Sequence, residues 1–129
     1  MAIKFLVVDD SLTMRRIVIN ALKSIGYDTV IEAGDGKEAF AKLTAEGADF
    51  LISDWNMPEM NGLELVKLVR STGSNTEMPI LMVTTRGNKA DVLEAMQARV
   101  NNYIIKPFTP QALKEKIDQI LKVVPIEKA

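Results

Sequence analysis

The chain has 129 residues, of which 47% are hydrophobic and 26% are charged, and its formal net charge is −1 at pH 7. These values are typical of one folded domain with a real core, and the charge favours neither nucleic acid nor an anionic membrane as a partner. Cysteine and histidine are absent, which excludes disulfides, thiol catalysis, Ser-His-Asp machinery and histidine metal ligands. Without a signal-like N-terminus or a long apolar run, the chain is expected to be cytoplasmic.

Short apolar runs alternate along the chain with longer stretches of helical spacing. The runs FLVV, DTVIEA, DFLIS, PILMV and NYII have the length and β-branched content of buried strands. Met14–Ile25 carries a helical apolar stripe, and Thr109 with Pro110 begins a last helix that we expect to end at Pro125. Five βα units with right-handed crossovers follow, in a single domain over residues 1–129.

Four of the apolar runs end in residues that suit phosphate or metal chemistry. The first of these runs is predicted to be a strand from Ile3 to Val8. Because the carboxyl ends of parallel strands meet at one edge of a sheet, where ligands bind in open α/β folds, we expect these residues to lie together. They are Asp9 and Asp10, Asp54, Thr84 and Thr85, and Lys106.

The three aspartates at this edge indicate a metal site. Crowding Asp9, Asp10 and Asp54 together would raise at least one carboxyl pKa and destabilise the fold, and a divalent cation would remove that problem. Oxygen ligands without histidine or cysteine favour Mg²⁺ or Mn²⁺ over zinc. Helix capping and turn formation are the alternative, which suits one aspartate but not three that face a lysine.

Asp54 stands alone at the end of the third run, where a carboxylate could attack a phosphoryl group and form an acyl phosphate. Lys106 would neutralise the transferred oxygens, and Thr84 would hydrogen-bond one of them. Taken singly, Lys106 could be a surface lysine and Thr84 a helix cap. Their matched positions at strand ends favour the functional interpretation.

The segments VVDDS, ISDWNMPEMNG, MVTT and YIIKPF occur in this order along the chain. Their sequence and spacing resemble the receiver domain of two-component response regulators, of the single-domain chemotaxis type. The resemblance covers essentially the whole chain. It implies a flavodoxin-like (βα)5 fold with a doubly wound parallel sheet in strand order 2-1-3-4-5. It also implies a phosphorylation-activated switch rather than an enzyme.

The same resemblance implies a role for each residue of the edge. Asp54 would accept a phosphoryl group from a histidine kinase, and Lys106 would contact that group. The bond between Lys106 and Pro107 is typically cis in this family. The ligands implied for Mg²⁺ are Asp9, Asp10, Asp54 and the backbone carbonyl of Asn56.

The switch implied by the resemblance starts at Thr84, which would move toward the phosphoryl oxygen. Tyr103 would follow by turning from an outward to an inward rotamer. We predict that this movement changes a surface made by the fourth helix, the last strand and the last helix. The residues expected to bind the target there, most plausibly the flagellar motor switch protein, are Lys89, Val92, Tyr103, Ile105 and Lys116.

Two positions depart from the family pattern. Arg86 stands where a glutamate is common, and together with Asn56 it would flank the phosphoryl group and tune the lifetime of the acyl phosphate. Arg99 stands where glycine usually ends the fourth helix in a left-handed conformation, which costs a non-glycine residue about 1 kcal/mol. Asn101 is the alternative residue for that conformation.

Other functions remain open from the sequence. A small Mg²⁺-dependent aspartyl-phosphate phosphatase would use similar residues, but such enzymes carry the nucleophile in a D-x-D motif on the first strand. A second alternative is an interaction module whose acidic cluster has no chemical role. Within the receiver family, the rival is a stand-alone receiver outside motility, acting as a relay component or phosphate sink. The expected partners are a histidine kinase, the motor switch protein and a phosphatase, and the chain itself is expected to be monomeric.

Overall fold

The computed structural model describes residues 3–72 and 77–124, over which five strands alternate with five helices. The strands form one parallel sheet in the order β2-β1-β3-β4-β5. This confirms the predicted flavodoxin-like (βα)5 architecture. The elements are β1 Phe5–Val8, α1 Leu12–Ser24, β2 Val30–Ala33, α2 Gly36–Glu46, β3 Phe50–Ser53, α3 Gly62–Arg70, β4 Ile80–Thr84, α4 Lys89–Gln97, β5 Asn102–Ile105 and α5 Pro110–Val123.

The central strands are buried on both faces, which explains their unbroken apolar runs. Alternate residues of β1 point to two separate cores. Phe5 and Val7 pack with α1 and α5 on one face of the sheet, whereas Leu6 and Val8 pack with α2, α3 and α4 on the other. The sheet is therefore covered on both sides, and its carboxyl edge is left to the loops.

Each helix begins at that carboxyl edge with a side-chain cap. In all five caps a side-chain oxygen accepts a hydrogen bond from the backbone N–H three residues later, which satisfies a donor of the first turn. The predicted cap at Thr109, with Pro110 next, is confirmed. The predicted stop at Pro125 lies outside the described residues. The N-cap residues are Ser11, Asp35, Asn61, Asn88 and Thr109.

Strand boundaries differ from the predicted ones by a few residues. The first strand begins at Phe5 rather than Ile3, because the backbone N–H of Lys4 donates to the Asp49 side chain and not to a neighbouring strand. The second strand begins at Val30, later than the run DTVIEA predicted. The last residue of β4 is Thr84, one residue beyond the apolar run.

Arg99, and not Asn101, takes the left-handed conformation after α4, with a φ of 74°. Asn101 is committed elsewhere, since its Oδ1 accepts hydrogen bonds from the backbone N–H of Ile80 and from Arg70 Nη2. The carbonyl of Arg99 also accepts from Arg70, at 3.0 Å from Nε and 2.8 Å from Nη2. Arg70 therefore holds the turn that joins α4 to β5.

Candidate phosphorylation site

The backbone ladder extends one residue beyond the strands and fixes where the polar side chains begin. The N–H of Asp54 donates to the carbonyl of Val8 at 2.9 Å, and the N–H of Lys106 donates to the carbonyl of Thr84 at 2.9 Å. The adjacent Lys106–Pro107 peptide bond is cis, as the resemblance implied. The polar ends of four strands are thus brought to one edge, as predicted.

Lys106 reaches across the sheet to two aspartates. Its Nζ lies 2.9 Å from Oδ2 of Asp9 and 3.3 Å from Oδ2 of Asp54. All three side chains are at most 11% exposed, so water screens these charges less than it would at the surface. The ammonium group is therefore placed to balance charge at Asp54.

The remaining carboxylate oxygens of this pair are held by backbone N–H groups. Oδ1 of Asp9 accepts from Ser11 at 2.9 Å, and Oδ1 of Asp54 accepts from Trp55 at 2.7 Å. Arg15 Nη1 donates to the carbonyl of Asp9 at 2.7 Å and fixes the backbone there. Each carboxylate is oriented before any ligand binds.

A divalent cation fits the donor set. Asp9, Asp10 and Asp54 each offer a carboxylate oxygen within 4.8 Å of the others. Asp9 and Asp54 are enclosed, whereas Asp10 is exposed and open to solvent. An all-oxygen cluster with one open side suits a hard, partly hydrated ion. This acidic cluster is typical of the magnesium site of receiver domains.

The electrostatics of Asp54 show why a cation would be favourable. Burial raises the pKa of this carboxyl, Lys106 opposes the rise, and the negative charge of Asp9 adds to it. The net direction is upward, so burial and Asp9 together outweigh Lys106. A cation bound beside Asp54 would favour its ionised form, which is the nucleophilic form.

The loop that carries the acceptor is closed tightly by Gly62. Its N–H donates to the carbonyl of Trp55 at 2.8 Å. A Cβ at this position would overlap the carbonyl oxygen of Asp54, so only glycine fits without movement of the acceptor's backbone. The loop between β3 and α3 is thus fastened directly behind Asp54.

The two predicted switch residues meet at the backbone of Arg86. Oγ1 of the buried Thr84 accepts from the N–H of Arg86 at 3.3 Å, and the hydroxyl of Tyr103 donates to the Arg86 carbonyl at 2.5 Å. Tyr103 is 8% exposed and therefore adopts the inward rotamer. Burial, and next the charge of Asp91, raise the pKa of Tyr103 to about 12, so its hydroxyl stays a donor at neutral pH.

The side chain of Arg86 spans the loops beside the acceptor. Its Nε and Nη2 donate to Oδ1 of Asn56 at 3.1 and 2.9 Å, and its guanidinium carbon lies 4.5 Å from the centre of the Trp55 ring. Its Nη1 lies 3.5 Å from Oδ1 of Asp91. Sequence reasoning placed Arg86 and Asn56 together but missed Asp91 and the ring of Trp55, for which no sequence signal exists.

The predicted target-binding residues lie on α4, β5 and α5 as expected. Lys89 and Ile105 are exposed, Val92 and Lys116 are partly buried, and only Tyr103 is turned inside. Sequence reasoning did not single out the exposed apolar side chains of the outer side of α4. These are Leu93, 58% exposed, and Met96, 45% exposed.

Comparison with known proteins identifies the class of protein. The family model described as "Response regulator receiver domain" matches residues 5–118. The chain therefore belongs to the response regulator receiver domain family, whose members are signalling switches rather than enzymes. No helix of the described residues is long and apolar enough to cross a membrane.

Within that family, the chain is similar to chemotaxis proteins of the CheY type. It is 60% identical to chemotaxis protein CheY1 of Helicobacter pylori (strain ATCC 700392 / 26695), over 92% of this chain and 96% of that protein. It is also 60% identical to a CheY homolog of Campylobacter jejuni, over 92% of both chains. The structure of CheY4 from Vibrio cholerae matches with a TM-score of 0.87 at 38% identity, over 94% of this chain and 100% of that one.

Proposed function

We propose that Asp54 accepts a phosphoryl group from a histidine kinase in a Mg²⁺-dependent reaction. The observation that carries this proposal is the contact of Lys106 Nζ with both Asp9 and Asp54 inside a cluster of three carboxylates. A bond forms between a carboxylate oxygen of Asp54 and phosphorus, and the bond from phosphorus to the kinase's histidine nitrogen breaks. The chain has no histidine of its own, so the donor must come from a partner or a small molecule.

The residues around Asp54 would have different roles in this transfer. Asp9 and Asp10 would hold Mg²⁺ together with Asp54 and the backbone carbonyl of Asn56, and the ion would supply positive charge to the phosphoryl oxygens. Lys106 is already within contact distance and would bind another of these oxygens. The two cations together offset the charge that phosphorylation adds.

The switch follows from the contacts of Thr84. Its hydroxyl accepts from the N–H of Arg86 and has its own proton to donate, so a phosphoryl oxygen at Asp54 would accept from it and draw it toward Asp54. Movement of Thr84 would carry the backbone of residue 86, whose carbonyl receives the Tyr103 hydroxyl. The phosphorylation state of Asp54 and the rotamer of Tyr103 would thereby be linked through Thr84 and Arg86.

The proposed target surface is the face of α4, β5 and α5, with Lys89, Val92, Tyr103, Ile105 and Lys116. The proposed target is the flagellar motor switch protein, because relatives at 60% identity are chemotaxis proteins. The alternative within the family is a relay component or phosphate sink outside motility. We further propose that residues 1–129 act as a single, monomeric, cytoplasmic receiver domain whose signal a phosphatase ends.

A binding measurement with beryllofluoride, a mimic of the phosphoryl group, tests this function. The motor switch protein should bind the chain at least tenfold more tightly with Mg²⁺ and beryllofluoride than without them. The Asp54→Asn variant should show no such gain, and it serves as the control for effects of the salt. Equal affinity in both states would contradict the motility target, while absence of the mimic's binding would contradict the phosphorylation site itself.

A further inference from the structure

The guanidinium of Arg86 joins the loop after Asp54 to helix α4. On one side it donates to Oδ1 of Asn56 and lies over the ring of Trp55, and on the other its Nη1 lies 3.5 Å from Oδ1 of Asp91. Among the described residues of the β4–α4 loop, Arg86 is the one whose side chain contacts both the loop after Asp54 and helix α4. Two elements that are separate in sequence are therefore bridged by one planar cation.

Asp91 is itself oriented for this contact. Its backbone N–H donates to Oδ1 of Asn88, the N-cap of α4, at 2.8 Å. Its Oδ2 accepts from Nδ2 of the same Asn88 at 2.9 Å, which leaves Oδ1 directed at Arg86. The position of the first turn of α4 thus determines the position of the Asp91 carboxylate, and through it that of the Arg86 guanidinium.

The bridge lies over the residues that directly follow the acceptor. Trp55 N–H donates to Oδ1 of Asp54, so the tryptophan under the guanidinium is bonded to the acceptor carboxylate itself. Asn56, the next residue, is exposed and is fixed by two hydrogen bonds from Arg86. Release of Arg86 would free the side chain of Asn56, two residues after the acceptor.

We propose that Asp91 is a positioning residue for the phosphorylation site, which prolongs the lifetime of the acyl phosphate by holding Arg86 across the acceptor loop. This inference rests on the proposed phosphorylation of Asp54 and deepens it. In hydrolysis, a water oxygen bonds to phosphorus while the bond to the Asp54 oxygen breaks and its electron pair returns to the carboxylate. The bridge limits the approach of that water from the side of Asn56.

A consequence of the bridge is that α4 regulates the site as well as reporting on it. A partner that fixes the first turn of α4 also fixes Asp91, and therefore slows loss of the phosphoryl group. Binding free energies are reciprocal between linked sites, so a state of Asp54 that favours the partner is itself favoured by the partner.

A double-mutant cycle separates this role from a merely structural one. An acidic residue in a first turn also stabilises its helix, so Asp91→Asn could act through α4 alone. If Asp91 acts through Arg86, its substitution has no effect once Arg86 is replaced by alanine. Glu94→Gln is the matched control, because Glu94 is an exposed acid on the same helix and its removal changes the charge equally.

The experiment labels each full-length variant with radioactive acetyl phosphate and Mg²⁺, removes the donor and follows the decay of the label. We expect Arg86→Ala to shorten the lifetime and Asp91→Asn to shorten it about two- to threefold, as for loss of one partly exposed ion pair. The double variant should decay as Arg86→Ala does, and Glu94→Gln as the unmodified chain does. High salt should shorten the lifetime of the unmodified chain toward that of Asp91→Asn.

The outcomes distinguish this inference from the function on which it rests. If the folded, unmodified chain takes up no label, the proposed phosphorylation of Asp54 is wrong and the inference falls with it. If the chain is labelled but Asp91→Asn leaves the lifetime unchanged, or changes it equally with and without Arg86, only the inference is overturned.

Discussion

Asp54 is the residue at which reactivity and stability oppose each other. Burial and the charge of Asp9 raise its pKa, so the folded protein disfavours the ionised form relative to the unfolded chain. The free energy of unfolding is therefore least affected by Asp54 at acid pH, where its carboxyl is protonated, and it falls as the pH rises through the folded pKa of this residue. At neutral pH the ionised carboxylate is therefore unfavourably buried beside Asp9, and binding of a metal ion would relieve this repulsion.

Asp54→Asn should therefore stabilise the metal-free protein at pH 7. We expect the unfolding midpoint to rise by about 3 °C, the shift of a modest stabilising substitution in a domain of this size. Differential scanning calorimetry in EDTA would measure it, and the difference should shrink as the pH falls below 3.8, the ordinary pKa of an aspartate, because Asp54 then becomes neutral in the unfolded chain as well. A lower midpoint for the variant at pH 7 would show that its contact with Lys106 outweighs burial.

Tyr103 is the second residue whose state can be tested alone. Its hydroxyl donates to the Arg86 carbonyl, so the ring is held in the inward rotamer beneath the target face. Tyr103→Ala should lower the affinity of the phosphorylated form for its target by tenfold or more, since the inward ring shapes that face. Calorimetric titration with beryllofluoride would measure it, and unchanged affinity would mean that the target surface is wrongly placed.

At the scale of single elements, the end of α4 shows a local conflict between sequence and conformation. Arg99 adopts a φ of 74°, which glycine tolerates without penalty and arginine does not. The turn keeps this conformation because Arg70 donates twice to the carbonyl of residue 99. These bonds involve only the backbone of residue 99, so they do not require an arginine there.

Arg99→Gly should accordingly stabilise the protein, by about 0.5–1 kcal/mol from relief of the left-handed conformation less the added freedom of the unfolded chain. Urea unfolding monitored by circular dichroism would measure the change. Arg99→Ala is the matched control, because it removes the same side chain and retains a Cβ, and it should bring no such gain. A stabilisation of equal size in both variants would assign the effect to the side chain instead.

The accuracy of the structure predicted from the sequence also differs from one element to the next. The buried runs that became β1, β3 and β4 could be predicted with the residues at their ends, because parallel strands covered on both faces leave a continuous apolar signal. The half-covered edge strand β2 was predicted too long. The bridge of Arg86 could not be predicted, because its rotamer depends on side chains from two other elements.

At the scale of the whole molecule, ligand binding at the site should stabilise the entire fold. The three acidic residues belong to the ends of β1 and β3, which lie at the centre of the sheet. A cation bound there binds only the folded chain, so it should raise the unfolding free energy by mass action, about 1.4 kcal/mol at a concentration tenfold above its dissociation constant.

Mg²⁺ should also change the fluorescence of Trp55, the only tryptophan in the chain, whose backbone N–H donates to Oδ1 of Asp54. We expect the fluorescence and the unfolding midpoint to change over the same millimolar range of Mg²⁺. Asp10→Asn should weaken both effects without altering the metal-free fold, since Asp10 is exposed. No fluorescence change at millimolar Mg²⁺ would contradict the metal site.

The contact between Lys106 and Asp9 spans 97 positions of the chain. Protein synthesis proceeds from the N-terminus, so the ribosome makes all three aspartates well before it makes the lysine that partners two of them. A nascent or truncated chain that ends before β5 therefore lacks the ammonium group that contacts both Asp9 and Asp54. Until β5 is added, the charges of these carboxylates have no lysine to balance them, so this edge of the sheet is completed only late in synthesis.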